Sequence, residues 1–226
     1  MRGGDLNEPI GTFSCRCSLC NGNSDTLQKK KINSVGAEFY GSAPLAERLE
    51  KMKEKTTIIK SKALFSDDGQ HRFLLRKEWD KNKKSAMIIM INPNTADTVN
   101  MDMTTVLTIN NLNKLGFGSV SIVNLYSRIM EKLSLRFNSD EDLLESDTDR
   151  IIEQYASMSD AIIIAWGCVG NNSQRVRERQ SELLELLKNH ANKLYKIGEE
   201  GFHPLTPAVR NLWELEPYEM EENSND

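Results

Sequence analysis

Four short polar segments of this 226-residue chain follow apolar runs, and they hold the side chains best suited to chemistry. The first is Asn92-Pro93-Asn94-Thr95-Ala96-Asp97, with Asp102 five residues on. Asn92 offers an acceptor and two donors, enough to read an amide edge or hold a water. Asp97 and Asp102 are carboxylates able to act as a general base or steady a developing cation, although Asp97 or Thr95 could instead cap the following helix. His203, in a proline-flanked loop, could donate a proton or stabilise an oxyanion, or simply pack there. Trp166 presents a π surface for stacking on a base, or closes the core at a strand end. Asn92, Asp97, Asp102 and His203 are therefore the catalytic candidates. Pro93, Asn94, Thr95, Asn124, Tyr126, Trp166, Gly167 and Asn171 are the substrate-binding candidates around them.

Basic side chains form a second group. Lys29-Lys30-Lys31 and Arg175 are candidates for phosphate contacts, the alternative for Arg175, Arg177 and Arg179 being a solvated helix face. Cys15, Cys17 and Cys20 form C-x-C-x-x-C. A structural zinc site closes with four ligands, so a distant Cys168 or His71 would have to complete it. The reading adopted is exposed thiols, with no metal and no cofactor. The phosphate-loop, dinucleotide-binding, zincin and nucleophile-elbow motifs are all absent from the sequence.

The elements that position these residues follow from periodicity. The turn Asp67-Asp68-Gly69 between apolar segments predicts a hairpin. Continuous apolar runs at 86–91 and 160–167, with 119–127 between them, predict strands buried on both faces. Helical spacing predicts helices over 43–55, 103–115, 140–158 and 174–189, and short strands are expected at 56–59 and 193–197. Strands alternating with helices imply an α/β fold, a three-layer α/β/α sandwich with a mostly parallel central sheet. In such sheets ligands bind outside the carboxyl ends of the strands, where all four polar segments fall.

Composition narrows the class. The chain is 38% hydrophobic and 27% charged, as in a globular protein, and it holds no run of the roughly 18 apolar residues a membrane helix needs. The start lacks an apolar secretory core, so a cytoplasmic location is expected, with no membrane partner; oligomeric state is not legible. The formal net charge of −4 is unevenly spread: residues 1–90 carry 17 Lys and Arg against 11 Asp and Glu. The expected organisation is an N-terminal extension over 1–40, one α/β domain over 41–213, and an acidic, disordered tail over 214–226.

The ordered motifs F-L-L-R-x-x-W-D, I-N-P-N-T-A-D, D-M-T, L-G-F-G, V-N-L-Y-S, A-W-G-x-x-G-N and H-P-L resemble an uncharacterised bacterial and phage family, domain-of-unknown-function family 1643, over about residues 70–207. Asn94 stands where that family usually has Ser, Met103 where it has Pro, and Phe202 where it has a basic residue. More distantly, Ile91-Asn92-Pro93 is similar to the G-I-N-P-G motif of the mismatch-specific branch of the uracil-DNA glycosylase superfamily. His203-Pro204-Leu205 is similar to that superfamily's H-P-S-P-L-S motif, here shortened. This second resemblance implies a glycosylase-like fold, a water-positioning Asn92, a His203 beside the leaving base, and a DNA or nucleotide ligand. Three readings stand: an N-glycosylase-like hydrolase of DNA or nucleosides, a non-catalytic nucleic-acid or protein-binding module of a phage or mobile element, and a small-molecule nucleotide enzyme.

Overall fold

The computed structural model describes residues 53–167 and 173–220. Contacts divide the chain into two units, Met1–Glu54 and Lys55–Asp226. Every element below belongs to the second. Lys29, Lys30, Lys31, the four cysteines, Asn171 and most of the helix expected over 43–55 lie outside the described residues.

Seven strands form one sheet: β1 (Lys60–Phe65), β2 (Arg72–Glu78), β3 (Lys84–Met90), β4 (Phe117–Asn124), β5 (Ala161–Ile164), β6 (Leu194–Ile197) and β7 (Leu215–Pro217). Their spatial order is β1-β2-β4-β3-β5-β6-β7. The sheet is mixed, which corrects the expectation of a mostly parallel one. The β4–β3, β3–β5 and β5–β6 pairs are parallel. The β1–β2, β2–β4 and β6–β7 pairs are antiparallel. The cause is connectivity: helical crossovers lead from β3 to β4, from β4 to β5 and from β5 to β6, and these four strands run parallel, whereas β1–β2 is a hairpin and β7 returns antiparallel to β6 after the connection 198–214.

The hairpin turn sits where expected. Asp68 Oδ1 accepts from Ser66 Oγ and the Gln70 N–H, and Gly69 adopts φ 69°, a left-handed conformation open to glycine. Strand pairing starts at Lys60, not over 56–59, where Ile58 is 79% exposed and has no sheet to cover it. Residues 215–217, within the stretch read as an acidic tail, pair with β6 as β7.

Helices α1 (Met103–Lys114), α2 (Asp140–Leu143), α3 (Asp147–Met158) and α4 (Gln174–Leu186) connect the strands. The unit expected over 140–158 is two helices because the Leu143 carbonyl is diverted to the N–H groups of Ser127 and Arg128. Beyond α4 the chain tightens into a 3-10 helix, Lys188–Lys193. Strand parity then divides the core. Met87, Ile89, Val123, Ile162 and Ile164 face Ile151, Ile152 and Tyr155 of α3 and Val176 and Leu183 of α4. Ala86, Ile88, Met90, Val120, Ile122 and Ile163 face Leu112 of α1, with Val209 and Trp213. Burying a Leu or Ile side chain contributes roughly 1.5–3 kcal/mol, so both faces hold the central strands firmly. No helix among the described residues is long and apolar enough to cross a membrane.

Candidate functional site

A cavity of about 170 Å³ opens at the carboxyl edge of the parallel strands, on the α1 face. Arg72, Met90, Asn92, Asn94, Asp102, Thr104, Thr105, Asn124, Met130 and His203 are among its lining residues. Parity explains the wall: Ile122 and Asn124 alternate on β4 so that both face α1, as Met90 does on β3.

Each polar side chain has a fixed setting. Asn92 Nδ2 donates to the carbonyls of Met130 at 2.7 Å and Pro93 at 3.3 Å. Its donors are thereby engaged, and Oδ1 is the atom left to receive a ligand or water. Asp102 is the N-cap of α1, accepting the Thr105 N–H on Oδ1 at 2.7 Å. One carboxylate oxygen is tied to the helix and the other is available. His203 accepts the Leu205 N–H on Nδ1 at 3.2 Å. Burial pushes the His203 pKa down, with the Asp102 charge opposing that shift. Gly167 backs the imidazole: it holds φ 63°, and a Cβ there would lie 3.3 Å from His203 Cβ and N.

Asn124 has the most unusual environment. It is 3% exposed, lines the cavity, and neither Nδ2 nor Oδ1 has a hydrogen-bond partner among the described residues. A buried amide unpaired at both ends is destabilising by roughly 1–3 kcal/mol per group, and such groups need a functional or structural explanation.

Two buried cations hold the loop that forms the cavity mouth. Arg72 Nη1 donates to the carbonyls of Asn94 at 3.1 Å and Ala96 at 2.5 Å. Lys77 Nζ, in a fully buried side chain, donates to the carbonyls of Asp97 at 3.1 Å and Thr98 at 2.9 Å. Burial lowers the Lys77 pKa, with Asp97 opposing.

The structure therefore brings Asn92, Asn94, Asp102, Asn124 and His203 together, with Gly167 behind His203. Other candidates lie elsewhere. The Asp97 carboxylate accepts from the N–H groups of Val99 and Asn100 and from Asn100 Nδ2, bonds that lower its pKa, and it does not line the cavity. Pro93 is buried and its carbonyl accepts the Met130 N–H, while Thr95 is exposed. Trp166 packs into the core on the α3–α4 face, opposite the cavity. Tyr126 faces a separate cavity of about 130 Å³, beside Arg175 and Arg179. Arg175 is engaged with Asp140 and with the carbonyls of Leu135 and Asn138, so it is a local brace. A larger cavity, about 720 Å³, lies between α4 and β6–β7 and holds none of these candidates. Among the described residues no group of three or more His, Cys, Asp or Glu side chains could hold a metal ion.

Arg72, Thr104, Thr105 and Met130 are lining residues that the sequence did not single out. Arg72 directly precedes the apolar run Phe73-Leu74-Leu75, a weak signal that a cation enters the sheet at its carboxyl edge.

A family model described as "Protein of unknown function (DUF1643)" matches residues 72–205. The matched stretch opens at Arg72 and closes at Leu205, and both residues line the cavity. No curated protein and no solved structure matches the chain.

Proposed function

The chain belongs to the DUF1643 family, which is described without an activity, and we propose from the chemistry of the cavity that it takes up a nucleobase and hydrolyses its N-glycosidic bond. The observation that carries this reading is Asn124, whose buried and unpartnered amide lines the cavity wall. An amide pairs with the donor–acceptor edge of a base through two hydrogen bonds. The volume, about 170 Å³, is below the roughly 300–1,000 Å³ of drug-sized pockets and suits a single ring group.

The other groups fit the reaction. Asn92 Oδ1 and the free oxygen of Asp102 hold a water, and Asp102 takes its proton as the water oxygen bonds to the anomeric carbon. The C–N bond breaks with its electron pair leaving on the base. Because Nδ1 of His203 accepts from Leu205, the neutral imidazole carries its proton on Nε2 and donates it as a hydrogen bond to the departing base. The resemblance of the Asn92 and His203 motifs to the uracil-DNA glycosylases supports the same assignment. On this reading the mixed sheet with helices on both faces is a sandwich of that type.

The test is release of free base, or formation of abasic sites, from a panel of nucleosides and oligonucleotides bearing uracil, hypoxanthine, mismatches and hypermodified bases. Release that is lost in Asp102→Asn and Asn92→Ala supports hydrolysis. Wild type indistinguishable from both variants across the panel refutes it. Base binding without release would leave a recognition module.

A further inference from the structure

Arg72 has more hydrogen-bonding capacity than its loop-bracing role uses. It is 4% exposed and makes no ion pair among the described residues. Nη1 holds the Asn94 and Ala96 carbonyls, while Nε–H is buried with no partner among the described residues. Burial brings its pKa down to about 10, with Asp102 opposing at a distance, so it remains a cation at neutral pH. A buried guanidinium lacking both a carboxylate and a partner for Nε is costly. It shares the cavity wall with the unpaired Asn124.

We infer that Arg72 is the specificity-determining residue of this cavity and donates Nε–H to a ring carbonyl or oxyanion of the ligand. The ligand class is then an oxo-substituted, pyrimidine-sized heterocycle. The inference rests on the base-binding reading and narrows it. The Asn124 amide has no partner fixing its orientation, so it can turn either end toward the ligand. Arg72 cannot adapt in this way, since every guanidinium nitrogen is a donor and none can accept. A ring without a carbonyl at that position leaves the buried cation unpaired, and a site built around a hydrogen bond rejects analogues that lack it.

The test uses the full chain and two pairs of free rings, each differing by one carbonyl: cytosine with 4-aminopyrimidine, and uracil with pyrimidin-4-one. Calorimetric binding is expected to favour the 2-oxo member of each pair by about tenfold or more, as for hydrogen bonds to charged groups. Arg72→Lys, which keeps a charge and loses Nε–H, is expected to erase the contrast. Should that variant not fold, the ring pairs on wild type still decide. Equal affinity within both pairs overturns the assignment, as does a contrast surviving in folded Arg72→Lys. Asn124→Leu separates the two ideas. If rings bind wild type and weaken in Asn124→Leu without an oxo contrast, base binding stands and the Arg72 assignment falls. If no ring binds wild type, both fall.

Discussion

The Leu205 N–H donates to His203 Nδ1, closing a turn two residues long around the imidazole. That bond fixes the tautomer, and it also sets a pH limit. Protonating the ring turns Nδ1 into a donor facing another donor, so acid must break that bond, leaving the backbone bond from the Thr206 N–H to the His203 carbonyl. Burial already lowers the His203 pKa from its usual 6.5. NMR titration of the imidazole should give a midpoint below 6.5. Asp102→Asn should lower it further, because the Asp102 charge is what opposes the shift. The sign for stability follows: the unfolded chain takes up the proton first, so stability falls as pH drops from about 6.5 toward the folded midpoint. A midpoint above 6.5 would contradict this account.

Asn124→Leu should separate stability from function. Removing an amide that has no partner removes its desolvation penalty, so the free protein should melt at the same temperature as wild type or higher. Ring binding should be lost. A fall of several degrees on thermal denaturation would show that Asn124 is paired in the free protein.

Gly167→Ala places a side chain at φ 63° and against His203. The left-handed conformation alone disfavours alanine by roughly 1–2 kcal/mol, and the 3.3 Å approach must be relieved by moving His203. Chemical denaturation should show that loss, with base release reduced more than ring affinity. Unchanged His203 resonances would argue against the contact.

Lys77→Met keeps the length of the side chain and removes its bonds to Asp97 and Thr98. Leaving two carbonyls unpaired should destabilise the protein by about 2 kcal/mol. Hydrogen exchange should rise locally over 94–101 before it does in the central strands.

Much of this frame was legible in the sequence. Continuous apolar runs mark β3 and β5 because strands buried on both faces cannot alternate. Asn92, Asp102 and His203 were recognisable as polar residues past such strands. The remainder depended on information that spacing does not carry. Trp166 shares strand parity with Ile162 and Ile164, which face α3 and α4, so a residue read as a stacking platform belongs to the core. The edge strand β7 was hidden because it has only three residues, and Leu215 among them lies between two glutamates. Asn124 was a candidate on type alone. Its lack of any partner, the property that distinguishes it, exists only once β4 is seated between β2 and β3.

Arg72 opens the second strand and His203 follows the sixth, yet both line one small chamber. Such a chamber is a product of long-range closure, so loop entropy delays it until the sheet is assembled. Ring binding therefore reports on the finished fold. Refolding followed by ligand fluorescence should lag behind the recovery of secondary structure, and no fragment ending before His203 should bind at all.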